Sequence, residues 1–196
     1  FDATADGGLG DTGLVVKCDV GGCGGNPTVL ASAQTEPCGI AVDGNNVYWT
    51  NAGHWPNLID GTVMKCAIGG CGGTPTVVAS SQVNPFSIAV DASGLYWRTG
   101  DGKVTKLDLG TNIATTLASG QPFAAIASGA FPFTLAVDGT SVYWTNDPGD
   151  VVMRCAVTGC GGNPTALSAA QGLGSGVAVD ATSVYWTTNF SGNDGM

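Results

Sequence analysis

AVDGNNVYWTN, residues 41–51, joins a short apolar run, an Asp-Gly turn and a Val-Tyr-Trp-Thr run. It returns as AVDASGLYWRT at 89–99, AVDGTSVYWTN at 136–146 and AVDATSVYWTT at 178–188. Aligned on Asp43, Asp91, Asp138 and Asp180, the copies lie 48, 47 and 42 residues apart, and Trp49, Trp97, Trp144 and Trp186 keep the same spacing. Periods in that range belong to solenoids and propellers. Short Val-, Thr-, Tyr- and Trp-rich runs between glycine turns select the propeller, whose blades are four-stranded antiparallel sheets.

Composition supports an all-β fold. The 196 residues are 43% hydrophobic and 11% charged, enough for a sizeable core, and 32 glycines and 9 prolines without a collagen period imply many tight turns. No segment carries apolar residues at helical spacing over a helical length. A formal charge of −9 with six basic residues excludes a nucleic-acid partner, which is held by Lys and Arg displacing counterions. Leu109 to Val137 is uncharged but broken by Pro122 and Pro132, so no membrane span is expected. The chain starts at Phe1 without Met or an apolar signal segment, so an export signal is expected to have been removed or to lie outside it.

One propeller domain over 1–196 is expected, with repeats at about 1–34, 35–82, 83–129, 130–171 and a half-blade at 172–196. In the second repeat, strand A is Ile40 to Val42, B Val47 to Thr50, C Thr62 to Cys66 and D Thr76 to Ala79. The chain opens on strands C and D and closes on A and B. The two halves could pair into one split blade closing a four-bladed ring, belong to a larger ring, or join chains head to tail. A half-blade left alone exposes unpaired edges, which natural proteins avoid. Phe1 aligns with Trp49, which favours the larger ring or the assembly.

The YWTN, YWRT, YWTN and YWTT segments, each a few residues after AVD, resemble the YWTD/NHL-type propeller repeat of lipoprotein-receptor ectodomains. GTVMKC, GCGGTPTVVAS and PFSIAVD are similar to repeats of secreted bacterial, myxobacterial-like propellers. The resemblance covers almost the whole chain and implies the fold, while propellers host binders, scaffolds and enzymes alike. The fourth residue of the motif is Asn51, Thr99, Asn146 or Thr188, so properties tied to its Asp do not carry over.

Seven cysteines sort into Cys18/Cys23, Cys66/Cys71 and Cys155/Cys160, with Cys38 left over. Each C-x4-C spans a glycine-rich turn between strands C and D, which can bring the two residues opposite one another. Three hairpin disulfides pinning the outer blade edges are expected, hence an oxidising, extracellular compartment. Zinc is the competing reading, although four ligands would have to come from two blades. Cys38 stands where Phe86 and Phe133 stand in later repeats, so it is expected to be a buried free thiol rather than a nucleophile.

Strands that alternate up and down place the B–C and D–A loops at one end of the blades. That end carries Glu36, His54, Trp55, Asn57, Asp60, Asp101, Asp147 and Asp150, with an inserted apolar stretch from Phe123 to Phe133 that includes Phe131. Loops on a rigid scaffold commonly carry function. His54, Trp55, Asn57, Phe123 and Phe131 are the candidate ligand residues, Trp55 offering a flat face to a sugar ring. No catalytic residue is assigned, because one His and one Glu leave little for a propeller hydrolase or lyase to use. No cofactor is expected; Asp60, Asp101, Asp147 and Asp150 could ring a calcium ion, but solvated loop aspartates are the simpler reading.

The Tyr-Trp pairs read as core, the AVD aspartates as turn initiators, and Lys17, Lys65, Lys106 and Arg154 as edge charges against strand addition. Asn189-Phe190-Ser191 matches a glycosylation sequon. The reading is a secreted or cell-surface, non-enzymatic module that binds a carbohydrate or protein. Its alternatives are a self-associating structural subunit that completes split blades head to tail, and a metal-assisted propeller hydrolase or lyase.

Overall fold

The computed structural model describes residues 13–54, 56–122, 134–146, 151–168 and 173–189. They form strands and turns, with no helix among the described residues and none long and apolar enough to cross a membrane. Contacts divide the chain into two compact units, Phe1–Pro85 and Phe86–Met196.

In the first unit, β1 (Gly13–Lys17) and β2 (Thr28–Gln34) form a two-stranded sheet, and β3 (Pro37–Val42), β4 (Asn46–Asn51), β5 (Gly61–Ala67) and β6 (Thr76–Gln82) a four-stranded antiparallel meander. The second unit repeats the meander in β7 (Pro85–Asp91), β8 (Gly94–Thr99), β9 (Val104–Asp108) and β10 (Ile113–Ala118). It does so again in β11 (Leu135–Val137), β12 (Ser141–Asn146), β13 (Val151–Ala156) and β14 (Thr165–Ala166), then ends on the pair β15 (Leu173–Val179) and β16 (Val184–Asn189). Register repeats too. Val47, Tyr48 and Trp49 stand opposite Cys66, Lys65 and Met64, as Val142, Tyr143 and Trp144 stand opposite Cys155, Arg154 and Met153. The outer pairs β1–β2 and β15–β16 are each two-stranded sheets within their own unit.

Each core lies between consecutive sheets. Val15, Leu30 and Ala31 of the first sheet pack on Val47, Trp49, Met64 and Cys66 of the second. Tyr96, Val104, Leu117 and Ala118 pack on Leu135, Val142, Trp144 and Cys155. Both Tyr and Trp of the first three repeats are buried, as expected of core.

All three disulfides form, Cys18–Cys23, Cys66–Cys71 and Cys155–Cys160. Two of them also pack against the preceding sheet. Cys66 and Cys155 are buried against the preceding sheet, and the sulfurs of Cys71 and Cys160 lie 3.5 and 3.3 Å from the carbonyl oxygens of Leu30 and Leu117. In the sheet without a disulfide, buried Leu107 stands opposite Leu95 where Cys66 stands opposite Val47. Two of the four strand C cations, Lys17 and Lys106, also reach the next sheet. Lys17 Nζ donates to the carbonyl of Ile68 in the next sheet at 2.7 Å, and Lys106 Nζ to that of Val157 at 3.2 Å.

Cys38 is exposed, against expectation. Its counterpart Phe86 is buried beneath the Arg98 guanidinium, 5.7 Å from the ring. The β3–β6 sheet has Thr50 where Arg98 stands, and its hydroxyl accepts from the Gly39 N–H at 2.9 Å rather than reaching over Cys38. Partial desolvation, reinforced by Glu36, still pushes the thiol up to about 11, away from the thiolate a nucleophile needs.

Candidate functional site

The AVD aspartates are turn initiators with a second task. Asp43 Oδ1 accepts from the backbone N–H groups of Asn45 and Asn46 at 2.7 Å each, and its Oδ2 accepts from the Tyr48 hydroxyl at 2.9 Å. Asp138 and Asp180 hold Tyr143 and Tyr185 in the same way. Desolvation opposes the charge on Asp138, but the Tyr143 hydroxyl and the Thr140 and Ser141 N–H groups outweigh it and hold the carboxyl down at about 2. Burial and then Asp43 push the Tyr48 phenol up to about 12. These groups are structural.

Two buried polar hubs join consecutive sheets, and sequence reading missed them. Gln34 Oε1 accepts from Trp49 Nε1 at 2.9 Å and from Asn51 Nδ2 at 3.0 Å. Asn146 Oδ1 accepts from Trp144 Nε1 at 3.0 Å and from Arg98 Nη2 at 3.1 Å, while its Nδ2 donates to Gln121 Oε1 at 3.0 Å. Arg98, 1% exposed, also donates to the carbonyls of Thr145 and Pro122. The fourth motif residue, Asn51 or Asn146, is thus consumed by packing. The missed signal was the glutamine of ASAQ, ASSQ and ASGQ, constant in the sequence. A left-handed residue precedes it each time, Ala33 (φ 54°), Ser81 (φ 53°) or Gly120 (φ 62°), and the amide donates back to the Ser32, Ser80 or Ser119 carbonyl.

The loop end of the first unit holds the candidate ligand residues that the structure describes. The β4–β5 loop is closed by Asp60, which accepts from the His54 backbone N–H at 2.8 Å and meets His54 Nδ1 at 2.5 Å. The first of these bonds and then the second hold the Asp60 carboxyl below its ordinary range. Gly53 is required there: its φ is 102°, and a Cβ would lie 2.5 Å from Asp60 Oδ1. Neighbouring connections are tied in, Ala52 N–H to the Glu36 carbonyl at 3.0 Å and Asn84 N–H to the Leu58 carbonyl at 2.6 Å. His54 and Asn57 lie exposed on this loop, beside Ile59 at 61% exposure. Trp55, Phe123, Phe131, Asp147 and Asp150 lie outside the described residues.

The calcium reading weakens on this geometry. Asp60 is taken up by His54, and Asp101 by the Thr99 hydroxyl and by Lys103, both at 2.5 Å. Among the described residues no three His, Cys, Asp or Glu side chains converge as metal ligands.

No family model matches the chain, and no curated protein matches it in sequence. Solved structures do. A chain of a nidogen/laminin complex superposes at a TM-score of 0.64, with 20% identity over 84% of this chain and 60% of its own. An auxiliary nutrient binding protein from Bacteroides thetaiotaomicron VPI-5482 gives 0.54, with 14% identity over 74% of this chain and 35% of its own. PorZ, a bacterial surface component of the type-IX secretion system of Porphyromonas gingivalis, gives 0.53, with 12% identity over 82% of this chain and 19% of its own. The chain has a β-propeller-like repeat fold. It spans 60% of the length of the matched chain of the nidogen/laminin complex.

Proposed function

We propose that the protein is an extracellular, non-enzymatic binding module whose ligand, a carbohydrate or a protein surface, docks on the loop end bearing His54, Trp55 and Asn57. The observation that carries this is the Asp60-closed loop, which presents exposed polar and apolar side chains from a backbone fixed by its own hydrogen bonds. A preorganised loop lowers the ordering cost of binding. Three disulfides support an oxidising location. The neighbours named above, a chain of a nidogen/laminin complex, a nutrient binder and a surface component, support binding at a cell exterior. Phe123 and Phe131 of the insertion are further candidate ligand residues in this reading. A hydrolase or lyase finds less support, since the sequence offers one His and one Glu for general acid–base work.

The test is a titration of the purified chain against a glycan array and a panel of extracellular glycoproteins, beside a His54→Ala/Asn57→Ala variant. Saturable binding that weakens at least tenfold in the variant is the expected result. Equal binding by both proteins removes this loop from the reading.

A further inference from the structure

The β7–β10 sheet of the second unit departs from the repeat at its outer turn. That turn reads LDLGTNI at 107–113, against the bridged CDVGGCGGN at 18–26 of the first unit. The rest of the joint to the next sheet is kept. Lys106 and Lys17 each stand opposite a threonine, Thr115 or Thr28, and each donates to a carbonyl of the following sheet. Beside the altered turn lies a cavity of about 290 Å³. Its most buried wall is Leu117, 2% exposed, with Ile113 and Val157 completing the apolar lining. Lys106, Asp108, Thr115 and Thr158 form the polar lining, and Thr158 stands where the first unit has Gly69.

Each charged group is anchored and still has bonding capacity left. Asp108 Oδ1 accepts from the Gly110 N–H at 3.0 Å and from the Thr111 N–H and hydroxyl at 2.8 and 3.0 Å, while its Oδ2 accepts no bond among the described residues. The Thr111 groups first, and Lys106 last, hold this carboxyl below its ordinary range. Lys106 Nζ, 5.8 Å from the Tyr96 ring, spends one donor on the Val157 carbonyl and keeps two. The Thr115 and Thr158 hydroxyls have no bond among the described residues.

We propose that this cavity binds one neutral sugar ring, independently of the loop bearing His54, Trp55 and Asn57. Charge selects the ligand class. An anion would gain Lys106 and meet Asp108, and a cation would do the reverse. A neutral polyol uses both, donating hydroxyls to Asp108 and accepting from Lys106, and the threonine hydroxyls serve either way. The C–H face of the ring then covers Leu117, Val157 and Ile113, removing apolar surface from water. The volume stands at the bottom of the range for small-molecule sites, about 300–1,000 Å³, which limits the occupant to a single ring.

The test follows the methyl NMR signals of Leu117 and Val157 while the chain is titrated with the methyl glycosides of glucose, galactose, mannose and N-acetylglucosamine. Saturable shifts at these methyls with at least one glycoside are the expected result. Asp108→Asn, which keeps the turn acceptor and replaces Oδ2 with a donor, should weaken that binding at least tenfold. Thr158→Gly, which restores the first unit's residue on an exposed turn, should weaken it at least threefold. Asp19→Asn, the same exchange in the first unit, should leave it unchanged. Signals that stay in place with every glycoside, an affinity equal to the parent's in both Asp108→Asn and Thr158→Gly, or saturation by glycine or sulfate instead of a sugar overturns the proposal.

Discussion

The two tryptophan hubs solve one problem with different inventories. In the first, the Trp49 indole and the Asn51 amide converge on one oxygen, Gln34 Oε1, and Asn51 Oδ1 is buried without a partner among the described residues. In the second, Arg98 donates to the Asn146 oxygen, the Trp144 indole joins it there, and Gln121 Oε1 accepts from Asn146 Nδ2 alone among the described residues. One exchange in a repeated motif, Thr50 against Arg98, therefore moves the centre of the joint from a glutamine to an asparagine. A buried polar group without a partner costs about 1–3 kcal/mol, so the two joints should fail at different residues.

Restoring the repeat's usual residue with Arg98→Thr strips donors from three acceptors at once. Urea denaturation of this variant should show a loss of about 3 kcal/mol, since bonds to charged groups are worth more than neutral ones. A change within experimental error would mean that the guanidinium is not what centres the second hub. Next in size is the contrast between glutamines. Gln34→Ala orphans the Trp49 indole and removes one of the two acceptors of the Asn51 amide, which keeps the Thr62 hydroxyl, and should cost about 2 kcal/mol, whereas Gln121→Ala removes only the acceptor of Asn146 Nδ2 and should cost about 1 kcal/mol. Equal losses would erase the distinction between the hubs.

The smallest effect concerns the turn that aims each glutamine. Ala33 accepts a left-handed backbone that Gly120 adopts at no steric cost. Ala33→Gly should stabilise the first unit by about 0.5 kcal/mol, and Gly120→Ala should destabilise the second by about 1 kcal/mol. Opposite signs in thermal melts are the outcome that matters.

Much of this was legible in the sequence, for reasons that separate local from distant geometry. Strand positions, the Asp43 turn and the Cys66–Cys71 pair follow from period two, turn chemistry and a five-residue separation. The hubs did not follow, although the glutamines recur as visibly as the tryptophans. A polar residue at a strand end reads as loop unless a partner in the next sheet is known to need it. The exposure of Cys38 escaped for the same reason, because it depends on what stands where Arg98 does. The His54–Asp60 contact is local yet depends on the left-handed backbone at Gly53, which composition cannot place.

The lysine contacts bear on how such a chain can grow. Lys17 and the Ile68 carbonyl are 51 residues apart, and so are Lys106 and the Val157 carbonyl. Donor and acceptor belong to successive repeats at a constant offset, so a gene duplication of more than one unit copies both halves of the joint together. A longer or shorter array then needs no newly invented lysine contact, and the number of repeats can drift while this joint is copied with them.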